Sequence, residues 1–554
     1  MNVKNESGAL FHGVGINNGC VSGKLKFFQR GRTGVEIIAD MPSAGVPDVE
    51  RARLERALTQ LRGRLSELYR RTLADVGEQE AQIFEIHAML LEDEDFTESL
   101  EREIANGCRA ELAVQNTAQQ YAALLKGLDD PYLSARAADL SDLSEQLCDL
   151  LSGTERRVQE KGGEPYILVA EDLAPSETVS LDKSEILGFV TFGGTPNSHT
   201  SILARAMGIP ALVGVGEIAP RFDGCLALLN AADGSLTVCP NESQVRAFQI
   251  KQREENELAK EHERYLRSLI NKPAITRGGH KMLIYANVGE AHEIEPALLN
   301  GAEGIGLLRS EFLYLSMDRY PTEEELFESY RDIVRKMQGK RIVIRTLDIG
   351  ADKQIPYFDL PREENPALGF RGVRICLARE ALFKTQLRAI LRASAHGSIS
   401  LMVPMIVSVE EVHRCRRLLD ECCAELQNEN IRFDPNLEFG IMLETPAAAI
   451  MSEELAAEVD FFSVGTNDLT QYTLAADRQN PQVAEICEEN REPVLRLIAQ
   501  AADAIHRHDG WIGICGELAA ELQLTQRFAD MRIDELSVSV PYLLGVREKV
   551  TACK

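Results

Sequence analysis

Gly193-Gly194-Thr195-Pro196-Asn197-Ser198-His199-Thr200-Ser201-Ile202-Leu203-Ala204-Arg205 is the stretch from which the rest of the chain can be read. It follows an apolar run, Ile186 to Phe192, that reads as a buried strand, and it opens an amphipathic segment, Ile202 to Met207, that reads as a helix. Strand, loop and helix in that order describe a β/α unit with His199 at or near the helix N-terminus. Free backbone N–H groups and the positive end of the helix dipole collect there and favour an anion such as a phosphoryl group. Ser198, Thr200 and Ser201 add hydroxyl donors. An ordinary imidazole is about three-quarters neutral at pH 7, which leaves a lone pair able to attack phosphorus. The same residues also fit a loop histidine whose neighbours merely cap a helix, and the stretch alone does not choose between the two.

A chain of 554 residues is too long for one core, so several domains are expected. No run approaches the length of a membrane-spanning helix and the N-terminus has no basic region followed by an apolar one, so no membrane insertion and a cytoplasmic location are expected. Twelve cysteines are scattered without a C-x-x-C pair or zinc-type spacing, which suits a reducing compartment and packing thiols. A formal net charge of −26 argues against nucleic acid as a partner. Any anionic substrate must then be held by arginines gathered locally against that field.

Residues from about Ala9 to Phe28 alternate as strands around Gly13, Gly15, Gly19 and Gly23, with no partner nearby in sequence. From Asp48 the apolar positions recur at three and four residues (Leu54, Ala57, Leu58, Leu61, Leu65, Leu68), and helical patterns continue to about Leu151, the size of an independent bundle. Strand patterns return at Tyr166 to Ala170, Leu187 to Thr191, Ala211 to Val213, Leu226 to Leu229 and Leu236 to Val238. The bundle is thus inserted into a β/α domain whose sheet the N-terminal strands complete. Asn241 to Asn271 is highly charged with sparse apolar residues and reads as an exposed helix joining domains.

Beyond Pro273 eight apolar runs alternate with helical patterns: Met282 to Val288, Gly304 to Leu308, Arg341 to Leu347, Ile399 to Ile406, Glu438 to Leu443, Val459 to Val464, Trp511 to Ile514 and Leu536 to Val540. That is the signature of a (β/α)8 barrel, whose chemistry lies at the C-terminal strand ends. Polar residues gather there: Arg309 and Glu311, then Arg345, Asp348, Asp352 and Lys353, then Glu444, then Asn467 and Asp468, then Cys515 and Glu517. Clustered arginines suit a phosphate or carboxylate ligand. Glu444 and Asp468 fit either a shared Mg2+ or ion pairs with those arginines.

The strings Ser198-His199-Thr200, Ala204-Arg205 and Gly208 to Gly214 resemble the phosphohistidine loop of the phosphoenolpyruvate (PEP)-utilising enzymes, with Thr195-Pro196-Asn197 spacing the paired glycines one residue further from the histidine than in many members. Ile83 to Asp93, Asp130 to Asp139, Gly304 to Phe312, Arg345 to Lys353, Glu363 to Gly372, Gly465 to Tyr472 and Cys515 to Leu518 resemble the enzyme I family of the bacterial sugar phosphotransferase system, almost end to end. The resemblance implies an α/β multidomain fold: a swivelling β/α phosphohistidine domain (N-terminal strands 1–44, main part 154–240) with an inserted α-helical bundle (45–153), a linker helix (241–272) and a C-terminal TIM barrel (273–554).

It further implies that PEP binds in the barrel with Mg2+, held through Arg309, Arg345, Arg478, Asn467 and Asp468, with Glu444 and Asp468 on the metal. His199 takes the phosphoryl group and Cys515 protonates the departing enolate to pyruvate, the alternative for Cys515 being a small packing residue. The helical bundle then docks the histidine-containing phosphocarrier protein (HPr), with His87 and Arg136 near the contact, and a homodimer forms through the barrel. A histidine in an amphipathic helix is equally a packing residue, and that reading of His87 stays open. Three other functions fit the sequence less well. A nucleotide-coupled dikinase or synthase has no G-x-x-x-x-G-K-[ST] loop here, a non-catalytic relay has no need of Glu444, Asp468 and Cys515, and a carbon-carbon lyase has no use for the bundle and His199.

Overall fold

The computed structural model describes residues 8–17, 19–28, 46–75, 84, 87–91, 93–127, 131–153, 164–171, 185–194, 201, 204–205, 208–315, 317–350, 355–361, 363–477, 480 and 483–554. The chain forms two compact units, Met1–Leu258 and Ala259–Lys554, and the helix Glu242–Arg267 runs through the boundary without a buried residue among those of its length.

In the first unit the short strands β1 (Ala9–His12), β2 (Val14–Ile16) and β3 (Cys20–Phe27) join β4 (Tyr166–Ala170), β5 (Ile186–Thr191), β6 (Ala211–Val213), β7 (Leu226–Asn230) and β8 (Ser235–Val238) in one sheet of order β1-β8-β7-β3-β4-β5-β6-β2. The strands β3 to β6 run parallel, and β1, β2, β7 and β8 pair antiparallel at the flanks. The N-terminal strands therefore find their partners some two hundred residues away. All five residues of β4 are buried because its two faces supply separate cores: Tyr166, Leu168 and Ala170 pack with Phe189 and Ala211, whereas Ile167 and Val169 pack with Leu25, Leu212 and Leu229.

Between β3 and β4 stand the helices Pro47–Asp75, Glu94–Ala105, Ala110–Gly127 and Pro131–Ser152, with Leu54, Leu61, Leu65, Leu100, Val114, Leu143 and Leu147 in a core of their own. The Asp93 side chain caps the second of these by accepting from the Phe96 amide at 2.9 Å. Arg53 lies across the bundle and pairs with both Glu50 and the buried Glu111.

Gly15 marks the tightest approach in the sheet. A Cβ there would sit 1.7 Å from the Ala231 carbonyl oxygen, a backbone atom with no freedom to yield. Gly15→Ala is expected to destabilise this unit by about 1–3 kcal/mol or more, read as a lower midpoint in thermal unfolding. Gly63→Ala, in a helix with nothing within 4 Å, is the control and should be neutral or stabilising.

The second unit closes a parallel barrel of eight strands: β9 (Leu283–Val288), β10 (Ile305–Arg309), β11 (Ile342–Arg345), β12 (Ile399–Val403), β13 (Glu438–Leu443), β14 (Phe461–Val464), β15 (Trp511–Ile514) and β16 (Glu535–Val538). The last strand starts on Glu535 rather than on Leu536. A large apolar core fills the space between the barrel and its helices, and a smaller one of Leu307, Val343, Met402, Met442, Phe461 and Cys515 fills its interior.

Candidate active site

His199 lies outside the described residues, but the frame on either side of it is defined. Thr191 ends β5 and its hydroxyl donates to the Gly193 carbonyl at 2.8 Å. The Gly193 amide donates to Glu171 O and the Gly193 carbonyl accepts from Gly214 N at 3.0 Å, fixing the loop's start beside the end of β6. Gly194 has φ +94°, a conformation that a side chain would strain. Beyond the histidine, Ser201 and Ala204 are fully buried, and the Asn17 amide donates to Ala204 O at 2.6 Å and Ile209 O at 3.1 Å.

In the barrel the strand ends deliver the charged residues to one face. Arg345 ends β11, level with Arg309 at the end of β10. Its guanidinium pairs with Glu311 at 2.5 Å and Asp348 at 2.9 Å, all three side chains nearly buried. Burial opposes the charge on Arg345, but Glu311 and Asp348 outweigh it and hold the group firmly protonated. Arg345 Nε and Glu311 Oε2 are nevertheless buried without a hydrogen-bond partner among the described residues, which leaves an unused donor and an unused acceptor within that set.

Arg371 was not singled out by the sequence. It reaches in from the segment between β11 and β12 and bridges Asp348 at 3.0 Å and Asp468 at 3.2 Å, with the Tyr472 hydroxyl at 3.2 Å from its Nη1. Two glycines set it there. Gly372 has φ +56° and donates its amide to Ile349 O at 3.2 Å, and Gly369 lies where any Cβ would collide with the Glu363 carboxylate, which itself accepts from Phe370 N. The only sequence signal was the string Glu363 to Gly372, which carries no periodicity.

Glu444 ends β13, is 1% exposed and accepts from the Met405 amide at 2.7 Å. Burial, then the facing carboxylates of Asp468 and Asp348, push its carboxyl well above the ordinary range despite Arg345 and Arg371 nearby. Asn467 is locked reciprocally to Glu517, its amide donating to Oε1 at 3.0 Å and its Oδ1 accepting from Glu517 N at 3.0 Å. Gly516 is forced by the approach of Thr466, whose Oγ1 would lie 2.0 Å from a Cβ. Cys515 sits just before it, 4% exposed, with its Sγ 3.5 Å from Val464 O. Burial pushes its thiol up to about 11, so it is protonated at neutral pH.

The structure thus gathers Arg309, Arg345, Glu444, Asn467, Asp468 and Cys515 at the strand ends and adds Glu311, Asp348 and Arg371. Arg478 lies outside the described residues. His87 lies inside the bundle. Its ring is fully buried, edge-on to Phe84 at 6.2 Å, because the helical spacing of Phe84, His87 and Leu91 puts all three on the core-facing side. Arg136 belongs to the helix Pro131–Ser152, and its side chain is outside the described residues. All twelve cysteines are free thiols, most of them buried.

Among the described residues no group of three or more His, Cys, Asp or Glu side chains is arranged to cage a metal ion. The donor set suits an ion that needs few protein ligands. Two carboxylates from adjacent strand ends, one of them driven out of its ordinary titration range by burial and then by the other, would be relieved by a divalent cation that takes its remaining ligands from substrate and water, as Mg2+ does.

Comparison with known proteins agrees with this geometry. Residues 12–136 match the N-terminal domain of PEP-utilising enzymes, 162–234 their mobile domain and 263–554 their PEP-binding domain. The phosphoenolpyruvate-protein phosphotransferase of Haemophilus influenzae is 42% identical over 89% of the chain and 85% of its own length. The proteins of the same name from Priestia megaterium and Geobacillus stearothermophilus are 37% and 35% identical over 93% and 97% of the chain, and 90% and 92% of their own lengths. No helix among the described residues is long and apolar enough to cross a membrane. Three domain matches in series and relatives aligned nearly end to end lead to one assignment: the chain belongs to the phosphoenolpyruvate-protein phosphotransferases, PEP-utilising enzymes whose chemistry is PEP-dependent phosphoryl transfer.

Proposed function

We propose that the chain transfers the phosphoryl group of PEP first to its own His199 and then to a histidine of HPr, releasing pyruvate, as the first step of sugar uptake and phosphorylation in the cytoplasm. The observation that carries this reading is the buried Arg345–Asp348–Arg371–Asp468 ion-pair chain beside Glu444 and Cys515. With Glu311, Glu444 and Arg309 counted beside that chain, four carboxylates stand against three guanidiniums, a formal charge of −1 when every carboxyl is ionised. A trianionic substrate is held there only with added positive charge, supplied by Mg2+ on Glu444 and Asp468 and by Arg478.

Phosphoryl transfer asks for charge neutralisation and in-line placement more than for covalent help. Arg309, Arg345 and Arg478 hold the phosphate and carboxylate, the Arg345 Nε supplying a donor that no described residue uses. Asn467, clamped by Glu517, orients the substrate without moving itself. The His199 nitrogen forms the bond to phosphorus and the bridging enol oxygen leaves with the electron pair of the broken P–O bond. Mg2+ would neutralise the phosphate oxygens during that step. The resulting enolate takes the Cys515 thiol proton at its methylene carbon and becomes pyruvate. His199 and the barrel belong to different units of the chain, so a swing of the β/α domain between PEP and carrier is part of the proposal. Arg136 on the bundle contacts HPr, His87 supports that surface from within, and the barrel pairs two copies.

The test is turnover with HPr. Pyruvate and phosphorylated HPr should form in equal amounts, and HPr lacking its acceptor histidine should stop the reaction at one pyruvate per chain. Unlimited pyruvate release in that case would mean hydrolysis and would sink the carrier assignment.

A further inference from the structure

Glu535 is a fully buried carboxyl inside the barrel that the mechanism above does not use. Neither of its oxygens has a hydrogen-bond partner among the described residues, and 1% of the residue is exposed. It opens β16, at the end of the barrel away from the substrate face. Its place is prepared by two glycines. On β15, Gly513 stands opposite Glu535 in register, and a Cβ there would lie 3.3 Å from Oε1. On β10, a Cβ at Gly306 would lie 2.1 Å from the same oxygen and 2.6 Å from Ser537 Oγ. A side chain at Gly306 would displace the carboxyl, and one at Gly513 would crowd it.

The row of residues in register explains what the carboxyl faces. Ser463 on β14 pairs with Gly513, which pairs with Glu535. Because the middle position has no side chain, the Ser463 hydroxyl and the Glu535 carboxyl flank the same gap, and the Ser463 oxygen is also buried without a hydrogen-bond partner. Cys515 comes just after β15, two residues beyond Gly513 and so on the same face, about 7 Å further along the strand direction. Ser463 is close enough to the Cys515 thiol to favour its ionised form, and Glu535 is close enough to oppose it. A second connection runs alongside: Ser537, next to Glu535, donates to Asn287 Oδ1 at 2.7 Å, and the Asn287 amide donates to the Cys515 carbonyl at 3.0 Å.

We propose that Glu535 is the proton reservoir for Cys515. Resting on the role assigned to that thiol, each turnover leaves a buried thiolate that must regain a proton while the substrate face is occupied by product. A water in the gap beside Gly513 takes the carboxyl proton of Glu535 as it gives one of its own to the Ser463 hydroxyl, which in turn gives its proton to the thiolate, leaving a neutral thiol and a carboxylate. The carboxylate is reprotonated from water at the opposite end of the barrel. There Trp511 stacks on Phe461 at 4.4 Å, Arg341 lies 4.9 Å over Trp511 and pairs with Glu438 at 3.2 Å, and the Arg341 and Glu438 side chains are 29% and 33% exposed.

The acidities run the right way. Burial, more than the neighbouring Asp534 and Glu438 carboxylates and against the pull of Arg341, puts the Glu535 carboxyl at about 8, and burial puts the Cys515 thiol at about 11. The carboxyl is protonated at neutral pH and is the stronger acid, so transfer to the thiolate is downhill. Tyr285, the other titratable group facing Glu535, is raised by burial and stays neutral.

Rapid-quench kinetics with PEP, Mg2+ and excess HPr separate the first turnover, which uses the resting thiol, from later ones. Glu535→Gln should release a first pyruvate per active site at the wild-type rate and then turn over about 10²-fold more slowly, the lower end of what a positioned proton donor contributes. Glu535→Asp should restore part of the loss. Wild-type steady-state turnover, or equal slowing of both phases, would overturn the proposal. Should the variant not fold, the wild-type pH profile serves: steady-state turnover should fall above pH about 8 while the first turnover persists, and parallel curves would contradict the relay. A wild-type protein that forms no pyruvate from PEP would instead overturn the functional reading beneath it.

Discussion

Arg345→Ala should lose on the order of 10²–10³ in kcat/KM for PEP, the range seen when one preorganised donor to a developing negative charge is removed. The loss has two sources that separate experimentally. Arg345 supplies the buried Nε donor to the substrate, which lowers kcat and raises KM together. It also neutralises Glu311 and Asp348, whose side chains are 3% and 4% exposed, and removing it leaves both without their nearest cation. Breaking a buried pair in this way costs about 3–5 kcal/mol, so the barrel should also unfold at a lower temperature. Arg345→Lys should recover stability better than activity, because a lysine ammonium replaces the charge but not the fork that reaches two carboxylates and an anion. Unchanged kinetics in Arg345→Ala would mean that PEP is not bound at this face.

Cys515→Ala is expected to lower pyruvate formation by about 10²–10⁴, the usual contribution of a positioned general acid, with little change in KM for PEP. The thiol acts on the enolate after the P–O bond has opened, so ground-state binding does not depend on it. Its acidity sets a pH window. A thiol held at about 11 remains a proton donor through the neutral and mildly alkaline range and fails only as pH rises through its own ionisation. The first-turnover rate of the wild-type protein should therefore hold to about pH 10, and in Cys515→Ala that dependence should vanish. A variant with wild-type turnover would leave Cys515 as a packing residue.

The barrel was legible because parallel strands buried on both sides read as unbroken apolar runs. Strands β13 and β15 fall where the sequence placed them, at Glu438–Leu443 and Trp511–Ile514. The same logic explains what was missed. Glu535 begins a strand but reads as its polar flank, since a pattern of apolar runs treats a carboxylate as a boundary even when glycines on two neighbouring strands make room for it. Arg371 comes from an irregular segment, and only the fold shows that its guanidinium meets residues 23 and 97 positions away. His87 shows the opposite limit. Helical periodicity assigns it to a helix, yet whether a histidine faces core or solvent depends on the neighbouring helices, here through Phe84 and Leu91. The N-terminal strands could be recognised singly, but β1 finds β8 and β3 finds β4 across an inserted bundle, a pairing that no local pattern encodes.

Intact-protein mass spectrometry after incubation with PEP and Mg2+ shows whether His199 takes the phosphoryl group, with ATP as the competing donor and His199→Ala as the control. One acid-labile phosphoryl adduct per chain is expected, formed from PEP, absent with ATP and absent from the variant. An adduct that survives in His199→Ala, one formed from ATP, or none with PEP would contradict it.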